Sequence, residues 1–373
     1  MTQIYLDYNA STPLAPEVKS LMRELMDTAF GNPSSLHWAG RPAQQYIEKA
    51  RAQIAALLEC RPEEIVFTSG GSEANNMVLK GTYYRFGDNH PHFITTTVEH
   101  PAIIAPCRSL EKLGAEITYL PVDGFGQVDP DDLEKAISGN TVLISIMHAN
   151  NEVGTLQPIS ACAAIAREHG IPFHTDAAQS VGKIDTRVDQ LGVDYLTIAG
   201  HKLYAPKGIG ALYIKGNQTL EPLIHGAAHE LGRRAGTESV LLNAALGEAS
   251  DRALGQPEMG RIEKLRDRFW HLLRDQFGNR VVLNGHPELR LPNTLNVSFV
   301  EKVGAEILQG LDGVAASTGS ACHSGQVELS PVLKAMGIPP HEGMGAIRFS
   351  LGRETTNEEI DNVITQLARV AAS

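Results

Sequence analysis

The sequence lacks the features of a membrane or secreted protein. Its 373 residues contain no apolar run near the ~20 residues that a membrane helix needs. The amino terminus has neither the basic nor the apolar region of a signal peptide. We therefore expect a cytoplasmic protein that has no membrane partner.

Cysteine and positive charge are also scarce. The 4 cysteines are Cys60, Cys107, Cys162 and Cys322. None belongs to a CxxC pair, and His225 and His229 lack the further ligands of a zinc pattern, so no metal site is predicted. A formal net charge of −11 opposes direct binding of nucleic acid or of an anionic membrane.

The spacing of apolar residues predicts an α/β fold. From Arg41 to Gly278 short apolar runs alternate with helical periodicity, as in a mainly parallel sheet covered by helices. Helices are predicted at 42–59 and 158–169. Strands are predicted at 65–68, 93–97, 117–120, 142–147, 171–175, 195–199 and 209–214. Only the last two strands are close enough in sequence to be antiparallel neighbours.

The pattern changes near residue 249, which indicates a second, smaller α+β domain. An amphipathic helix precedes an alternating strand at 294–299, and a strand at 347–351 precedes a final helix. We expect a large domain formed by residues 15–250. The small domain would consist of residues 1–14 and 251–373 and would carry the Cys322 loop.

Polar residues follow several predicted strands at their carboxyl ends, where open α/β sheets bind ligands. After 65–68 come two glycines and a serine that open a helix, an arrangement whose N–H groups suit an anion. A turn capped by Ser72 would produce the same pattern. Asn151 and Asp176 follow two further strands, where turn formation and helix capping are the alternatives.

Lys202 follows the strand at 195–199 directly. A buried amine is costly unless it is paired, neutral or chemically committed, and the alternative is a lysine that reaches the surface. An anion cradle, a carboxylate for a pyridinium proton and an amine that forms an imine are together what pyridoxal 5'-phosphate requires. His100, after the strand at 93–97, would cover the cofactor ring and carry protons, or be structural.

Cys322 lies in a run of small and polar residues at 316–325. Such a run predicts a mobile, exposed loop and favours a reactive thiol, with a bystander thiol as the alternative. The other three cysteines lie in helical or apolar segments and are predicted to be structural. The loop 225–237 suits a phosphate or carboxylate contact, and in a dimer it would serve the neighbouring subunit's site.

These motifs, in this order, resemble the cysteine desulfurases of the NifS and IscS type, which belong to the class V aminotransferase family. The matching segments are 5–13 (YLDYNASTP), 31–35 (GNPSS), 67–76 (FTSGGSEANN), 147–154 (MHANNEVG), 175–183 (TDAAQSVGK), 200–202 (GHK) and 347–353 (IRFSLGR). The resemblance implies fold type I of the pyridoxal phosphate-dependent transferases. It also implies a homodimer.

The resemblance further implies roles for individual residues. Lys202 would form the imine with the cofactor, Cys322 would carry sulfur as a persulfide, and His100 would stack on the ring and move protons. The cofactor contacts would be Gly71, Ser72, His100, Asn151, Asp176, Gln179, His201, Lys202 and, across the dimer interface, Thr237. The substrate contacts would be Arg348, Asn151 and Asn32, with Arg348 taking the carboxylate.

The implied activity converts L-cysteine to L-alanine and passes the persulfide sulfur of Cys322 to an acceptor protein. An iron–sulfur scaffold, a tRNA- or DNA-thiolating system and a cofactor pathway stay open as acceptors. Segments 291–294, 321–324 and 329–333 also look like selenocysteine lyases, so such a lyase is the first alternative. A noncatalytic family member that acts as an interaction partner is the second.

Overall fold

The computed structural model describes residues 3–87, 89–255, 258–318, 321–323 and 326–371, with the backbone alone for 321–323 and 326–327. Strands and helices alternate as far as Ala253. The strands are β1 (Ile4–Tyr5), β2 (Ile65–Thr68), β3 (His92–Thr96), β4 (Glu116–Leu120), β5 (Thr141–Ser145), β6 (Phe173–Asp176), β7 (Tyr195–Ala199) and β8 (Gly210–Ile214). The α-helices are α1 (Pro16–Thr28), α2 (Gly40–Leu58), α3 (Gly71–Phe86), α4 (Pro101–Glu111), α5 (Pro130–Ala136), α6 (Ile159–Glu168), α7 (Val188–Leu191) and α8 (Val240–Ala253).

The remaining part of the chain is richer in short strands. Its strands are β9 (Val281–Asn284), β10 (Thr294–Phe299), β11 (Val314–Ala315), β12 (Ser317–Thr318), β13 (Ala321–His323), β14 (Gln326–Glu328) and β15 (Ala346–Ser350). Its α-helices are α9 (Met259–Phe277), α10 (Gly304–Gln309), α11 (Pro331–Ala335), α12 (Pro340–Gly343) and α13 (Asn357–Val370). None of the helices within the described ranges combines the length and apolar character needed to cross a bilayer.

The large sheet confirms the predicted fold class. Its strand order is β2-β8-β7-β6-β5-β3-β4, and β4, β3, β5, β6 and β7 pair in parallel. The predicted antiparallel pair β7 and β8 is confirmed. β8 also pairs antiparallel with β2, a contact between segments far apart in sequence that the sequence does not reveal.

The strands of this sheet other than the edge strand β4 are buried on both faces because helices cover both. Along β2, Ile65 and Phe67 pack into the core cluster beneath α2 and α8, whereas Val66 packs on the opposite side with α3 and α4. This alternation is the two-residue period of a strand. It explains why these segments read as continuous apolar runs instead of alternating ones.

Most predicted strand boundaries differ from the observed ones by one or two residues, and two of the differences have identifiable reasons. β6 begins at Phe173 because Pro172, with no N–H group, cannot donate to the ladder. β5 ends at Ser145, two residues before the predicted end, although the N–H of Ile146 still donates to the carbonyl of His174. The backbone therefore follows β6 beyond the regular ladder, a normal ambiguity of strand ends.

The second sheet carries the other side of the site. Its order is β12-β15-β10-β9, antiparallel throughout, and α9 and α13 supply its core. Ile4 and Leu6 pack in the same core, and Asp7 bridges to Ser350 at the end of β15. The amino-terminal segment thus runs along this sheet before it enters the cleft. The division at 15–250 stays a prediction.

Candidate active site

The carboxyl ends of β2, β3, β5, β6 and β7 open onto a cleft of about 420 Å³, which the amino-terminal segment and β15 close from the other side. Its lining residues are Asn9, Ala10, Gly71, Ser72, Asn75, His100, Ala102, Met147, Ala149, Asn151, Asp176, Ala178, Gln179, Ala199, His201, Lys202 and Arg348. Most of the residues that the sequence predicts for the site therefore meet in one place.

Lys202 follows β7 in a single 3₁₀ turn and is half-buried. Its Nζ donates to the backbone carbonyls of Asn9 and Ala10, the latter at 2.8 Å. Burial, and next the charge of Arg348, lower the pKa of the Lys202 ammonium from 10.5 to about 8, although nearby carboxylates oppose the shift. The amine is thus held in the cleft with a pKa suited to a nucleophile or base.

Asp176, the last residue of β6, has both carboxylate oxygens occupied. The N–H of Ala178 donates to Oδ1 at 2.9 Å, which is the capping contact that the sequence leaves open. Asn75 donates from Nδ2 to Oδ2 at 2.6 Å. The sequence analysis missed Asn75, although it lies four residues after Gly71 and therefore on the same face of α3.

The amino-terminal end of α3 faces the cleft through Gly71 and Ser72. The cap is Gly70, with a φ of 149° that L side chains rarely adopt, so the predicted alternative with Ser72 as the cap is wrong. Gly210 makes the turn possible because a Cβ there would lie 2.7 Å from the Gly70 Cα. The first N–H groups of a helix have no partner inside it, so this turn can bind an anion.

His100 caps α4 with its own ring. Its Nδ1 accepts from the N–H of Ala102 at 3.1 Å, so in the neutral ring Nε2 carries the proton. Burial lowers the pKa of His100, Asp176 raises it and Lys202 lowers it further. The ring is therefore held in one orientation with a single N–H donor at the cleft.

Glu99, next to His100, was not singled out by the sequence analysis. It is buried, and its Oε1 accepts from the Thr96 hydroxyl at 3.0 Å and from the N–H of Met147 at 2.9 Å. Burial raises the pKa of Glu99 to about 8. Its carboxyl group is therefore largely neutral at physiological pH, behind the strand ends and outside the cleft lining.

Arg348 of β15 reaches the cleft from the second sheet and is 8% exposed. Its Nη1 donates to the carbonyl of Asn151 and its Nη2 to Asp7 Oδ1, both at 2.8 Å. The Ser317 hydroxyl donates to the same Asp7 oxygen at 2.8 Å. Arg348 is thus a buried cation at the cleft, oriented by a carboxylate that the sequence analysis did not identify.

Two further predicted cofactor contacts, Gln179 and Asn151, make hydrogen bonds with Asn9 of the amino-terminal segment. Gln179 is 5% exposed and donates from Nε2 to the carbonyl of Asn9 at 3.0 Å. The Asn151 carbonyl accepts from Asn9 Nδ2 at 3.3 Å. Burial, and then the charge of Lys202, lower the pKa of His201 to about 4, so its ring is neutral.

Three predicted residues are not in this cleft as described. Asn32 is exposed, and its Oδ1 accepts from the N–H of Ser34 at 2.9 Å. Thr237 is exposed and lines a separate groove. The backbone of Cys322 belongs to β13, which pairs antiparallel with β14, and its side chain lies outside the described residues, so the mobile, exposed loop stays a prediction.

Comparison with known proteins identifies the family. The class V aminotransferase family (Aminotransferase class-V) matches residues 4–363. A cysteine desulfurase IscS of Dictyoglomus turgidum is 48% identical over 99% of this chain and 94% of its own length. A cysteine desulfurase IscS of Methanosarcina thermophila is 44% identical over 97% of this chain and 90% of its own length. The chain therefore belongs to the class V aminotransferases, a family of pyridoxal phosphate enzymes, and within it to the cysteine desulfurases of the NifS and IscS type.

Solved structures agree with this assignment. A NifS-like protein matches with a TM-score of 0.93 and 34% identity, each chain covering 100% of the other. A NifS-like protein from Rickettsia africae gives a TM-score of 0.89 and 33% identity, again with 100% coverage of both chains. SspA in complex with cysteine matches with a TM-score of 0.85 and 38% identity over 95% of this chain and 100% of its own. The predicted fold type is therefore confirmed.

Proposed function

We propose that this chain is a pyridoxal 5'-phosphate-dependent cysteine desulfurase, which converts L-cysteine to L-alanine and leaves the sulfur as a persulfide on Cys322. The observation that carries the proposal is the meeting of three groups in one cleft: the amine of Lys202, the carboxylate of Asp176 and the guanidinium of Arg348. The names of the relatives, and the neighbour whose structure was solved with cysteine, support the choice of substrate.

The donor set of the cleft fits pyridoxal 5'-phosphate. The amino-terminal turn of α3 offers N–H groups and a hydroxyl for a phosphate, and Asp176 offers a carboxylate for a pyridinium proton. Lys202 has an amine whose pKa is already lowered to about 8. Asn75 Oδ1 is buried and has no hydrogen-bond partner among the described residues, so an acceptor beside Asp176 is left for a bound group. We assign the remaining contacts to His100, Asn151, Gln179 and His201.

The cofactor, when bound, supplies a carbonyl that joins the substrate amine and a ring that takes up electrons from the substrate Cα. The protein groups do the rest. Arg348 binds the substrate carboxylate and Asp176 holds the proton on the ring nitrogen. Lys202 removes the proton from the substrate Cα, and the Nε2–H of His100 is the acid that returns a proton.

The sulfur step needs neither an oxidant nor a reductant from outside. The Cys322 thiolate attacks the substrate sulfur, an S–S bond forms, and the bond between Cβ and sulfur breaks. The electron pair of that bond stays with the carbon, which takes up a proton and becomes the methyl group of alanine. One cysteine and one thiol therefore give one alanine and one persulfide.

The flanks of the Cys322 hairpin support this role. On one side Ser317 donates to Asp7, and on the other Ser330 donates to Glu152 Oε2 at 2.5 Å. Burial raises the pKa of Glu152, while the Ser330 bond and the charge of Arg348 lower it. Both ends of the segment that carries Cys322 are thus attached beside the proposed carboxylate site.

We also propose a homodimer in which Asn32 and Thr237 serve the partner's site. Both lie in exposed segments, next to apolar side chains that a monomer would leave in water. These are Phe30 (74% exposed), Leu36 (80%), Trp38 (79%) and Leu231 (73%). Arg234 pairs with Glu73 of the same chain at 2.9 Å, which anchors the loop, while Thr237 itself stays exposed on its surface.

The test is the stoichiometric formation of alanine and sulfide from L-cysteine by the purified, cofactor-loaded protein with a thiol reductant. We expect Cys322→Ala to abolish sulfide release from cysteine and Lys202→Ala to abolish turnover and the visible absorption of the bound cofactor.

Two outcomes would favour the alternatives. If Cys322→Ala still turns over selenocysteine, and the wild type and Cys322→Ala turn over cysteine equally fast, the lyase is favoured. A protein that takes up no pyridoxal phosphate would favour the noncatalytic partner. The identity of the sulfur acceptor protein is a separate question, which persulfide transfer to candidate proteins would answer.

A further inference from the structure

Lys183 is a second buried amine behind the cleft, and the proposed mechanism does not use it. It is 8% exposed, and its Nζ donates to Gln179 Oε1 at 3.2 Å. Within the described part of the chain no carboxylate forms an ion pair with it. Burial, and then the charges of Lys202 and Arg348, lower the pKa of Lys183 to about 7. A lone amine in this position opposes folding, so its presence calls for another reason.

The hydrogen bond from Lys183 defines which end of the Gln179 side-chain amide faces the lysine. Lys183 Nζ donates to Oε1, so the carbonyl end of the Gln179 amide faces the lysine. The amide NH₂ end is thereby fixed on the other side, where one N–H goes to the carbonyl of Asn9 at 3.0 Å. The second N–H remains for the cleft, which Gln179 lines.

Lys183 is also connected with the reactive amine. Lys183 and Lys202 line the same small cavity, together with Asn293 and the aromatic rings of Tyr8 and Tyr204. The carbonyl of Asn9 accepts from Gln179 and from Lys202 alike. A chain of donors therefore runs from Lys183 through the Gln179 amide to the atom that holds Lys202.

We propose that Lys183 is a positioning residue that keeps the N–H donor end of the Gln179 amide turned towards the cofactor. The inference rests on the proposed function, because it assumes that the cleft binds pyridoxal phosphate. Without Lys183 only the Asn9 carbonyl still favours this orientation, and Gln179 Oε1 loses the donor that faces it, so the amide is held less firmly. Its role is therefore in this orientation and not in the stability of the fold.

The test is a double-mutant cycle on the affinity of the apo protein for pyridoxal phosphate. We expect Lys183→Met and Gln179→Ala each to raise the Kd by about tenfold, the effect of one hydrogen bond. The double variant should bind no more weakly than Gln179→Ala alone, because Lys183 acts through that amide. The apo form of Lys183→Met should have a Tm equal to or above the wild-type value.

The remaining outcomes of this cycle decide against the inference. Effects that multiply in the double variant, a Lys183→Met protein that binds like the wild type, or one that fails to fold would overturn the inference. Lys183→Gln retains an N–H donor and should bind at least threefold more tightly than Lys183→Met. Lys112→Met, at an exposed position after α4, is the control and should change nothing. A wild-type protein that does not bind the cofactor would overturn the proposed function instead.

Discussion

The two walls of the cleft are built in different ways. The cofactor wall (Gly71, Ser72, His100, Asp176 and Lys202) takes each residue from the end of a strand of the large sheet, from the turn after it or from the first turn of the helix that follows. The substrate wall (Asp7, Asn9 and Arg348) is assembled across the whole chain, since Asp7 and Arg348 are 341 positions apart. The difference suggests a division of work: cofactor affinity depends on the first wall and substrate affinity on the second.

The sharpest test of this division is Arg348→Gln. Loss of a buried, charge-assisted pair to the substrate carboxylate should raise the KM for L-cysteine by about 100-fold or more. The Kd for pyridoxal phosphate should change less than about twofold, because the arginine does not belong to the cofactor wall. Steady-state kinetics and a visible absorption titration measure the two quantities on the same preparation.

Two further variants control that experiment. Asp7→Asn keeps the shape of the acceptor but removes its charge, and we expect a smaller rise in KM from poorer orientation of Arg348. Arg261→Gln removes an arginine that donates to backbone carbonyls outside the cleft, so neither quantity should move. The division into two walls is wrong if Arg348→Gln weakens cofactor binding as much as it weakens substrate binding.

A change in the cofactor wall should have the opposite signature. Asn75→Ala removes a buried hydrogen bond to Asp176 Oδ2, a bond to a charged group. We expect the Kd for pyridoxal phosphate to rise by about 10- to 100-fold, with an unchanged KM for L-cysteine at saturating cofactor. Absorption titration of the apo protein followed by kinetics checks both.

The matched control for this change is Asn284→Ala. Asn284 is equally buried and donates to Asn296 and Ser298, but it lies in the second sheet away from the cleft. Its loss should lower the free energy of unfolding and leave the Kd alone. Equal losses of cofactor affinity in the two variants would show that Asn75 acts only through stability.

Glu99 lies behind the cofactor wall but belongs to neither wall, so its effect should be on stability alone. Its pKa is raised from 4.5 to about 8 in the folded protein, so the folded state binds an extra proton between these values. The stability that this proton provides is present at low pH and is lost as the pH rises towards 8. Glu99→Gln removes this dependence and keeps the Oε1 acceptor.

We therefore expect the free energy of unfolding of Glu99→Gln, relative to the wild type, to rise by more than about 1 kcal/mol from pH 5 to pH 8. Chemical denaturation at several pH values measures the difference. Glu134→Gln, at an exposed site on α5, should show a flat difference over the same range. A flat difference for Glu99→Gln as well would mean that Glu99 is ionised in the folded protein.

The contrast between the walls also explains what the sequence can predict. Strand ends are local signals, so β2 and β7 have the predicted bounds and most of the predicted residues line one cleft. The Asp7–Arg348 pair and the pairing of β2 with β8 depend on contacts between distant segments, and a single sequence carries no local signal for them. Asn75 and Lys183 are intermediate cases: each lies four residues beyond a predicted contact.

The account as a whole depends on Lys202, and borohydride reduction of the cofactor-loaded protein tests it directly. Reduction fixes the cofactor to the amine that holds it, and peptide mass spectrometry locates that amine. We predict the adduct on Lys202, at a stoichiometry near one per chain. An adduct on Lys183 instead, or a loaded protein with no adduct at all, would contradict the proposed active site.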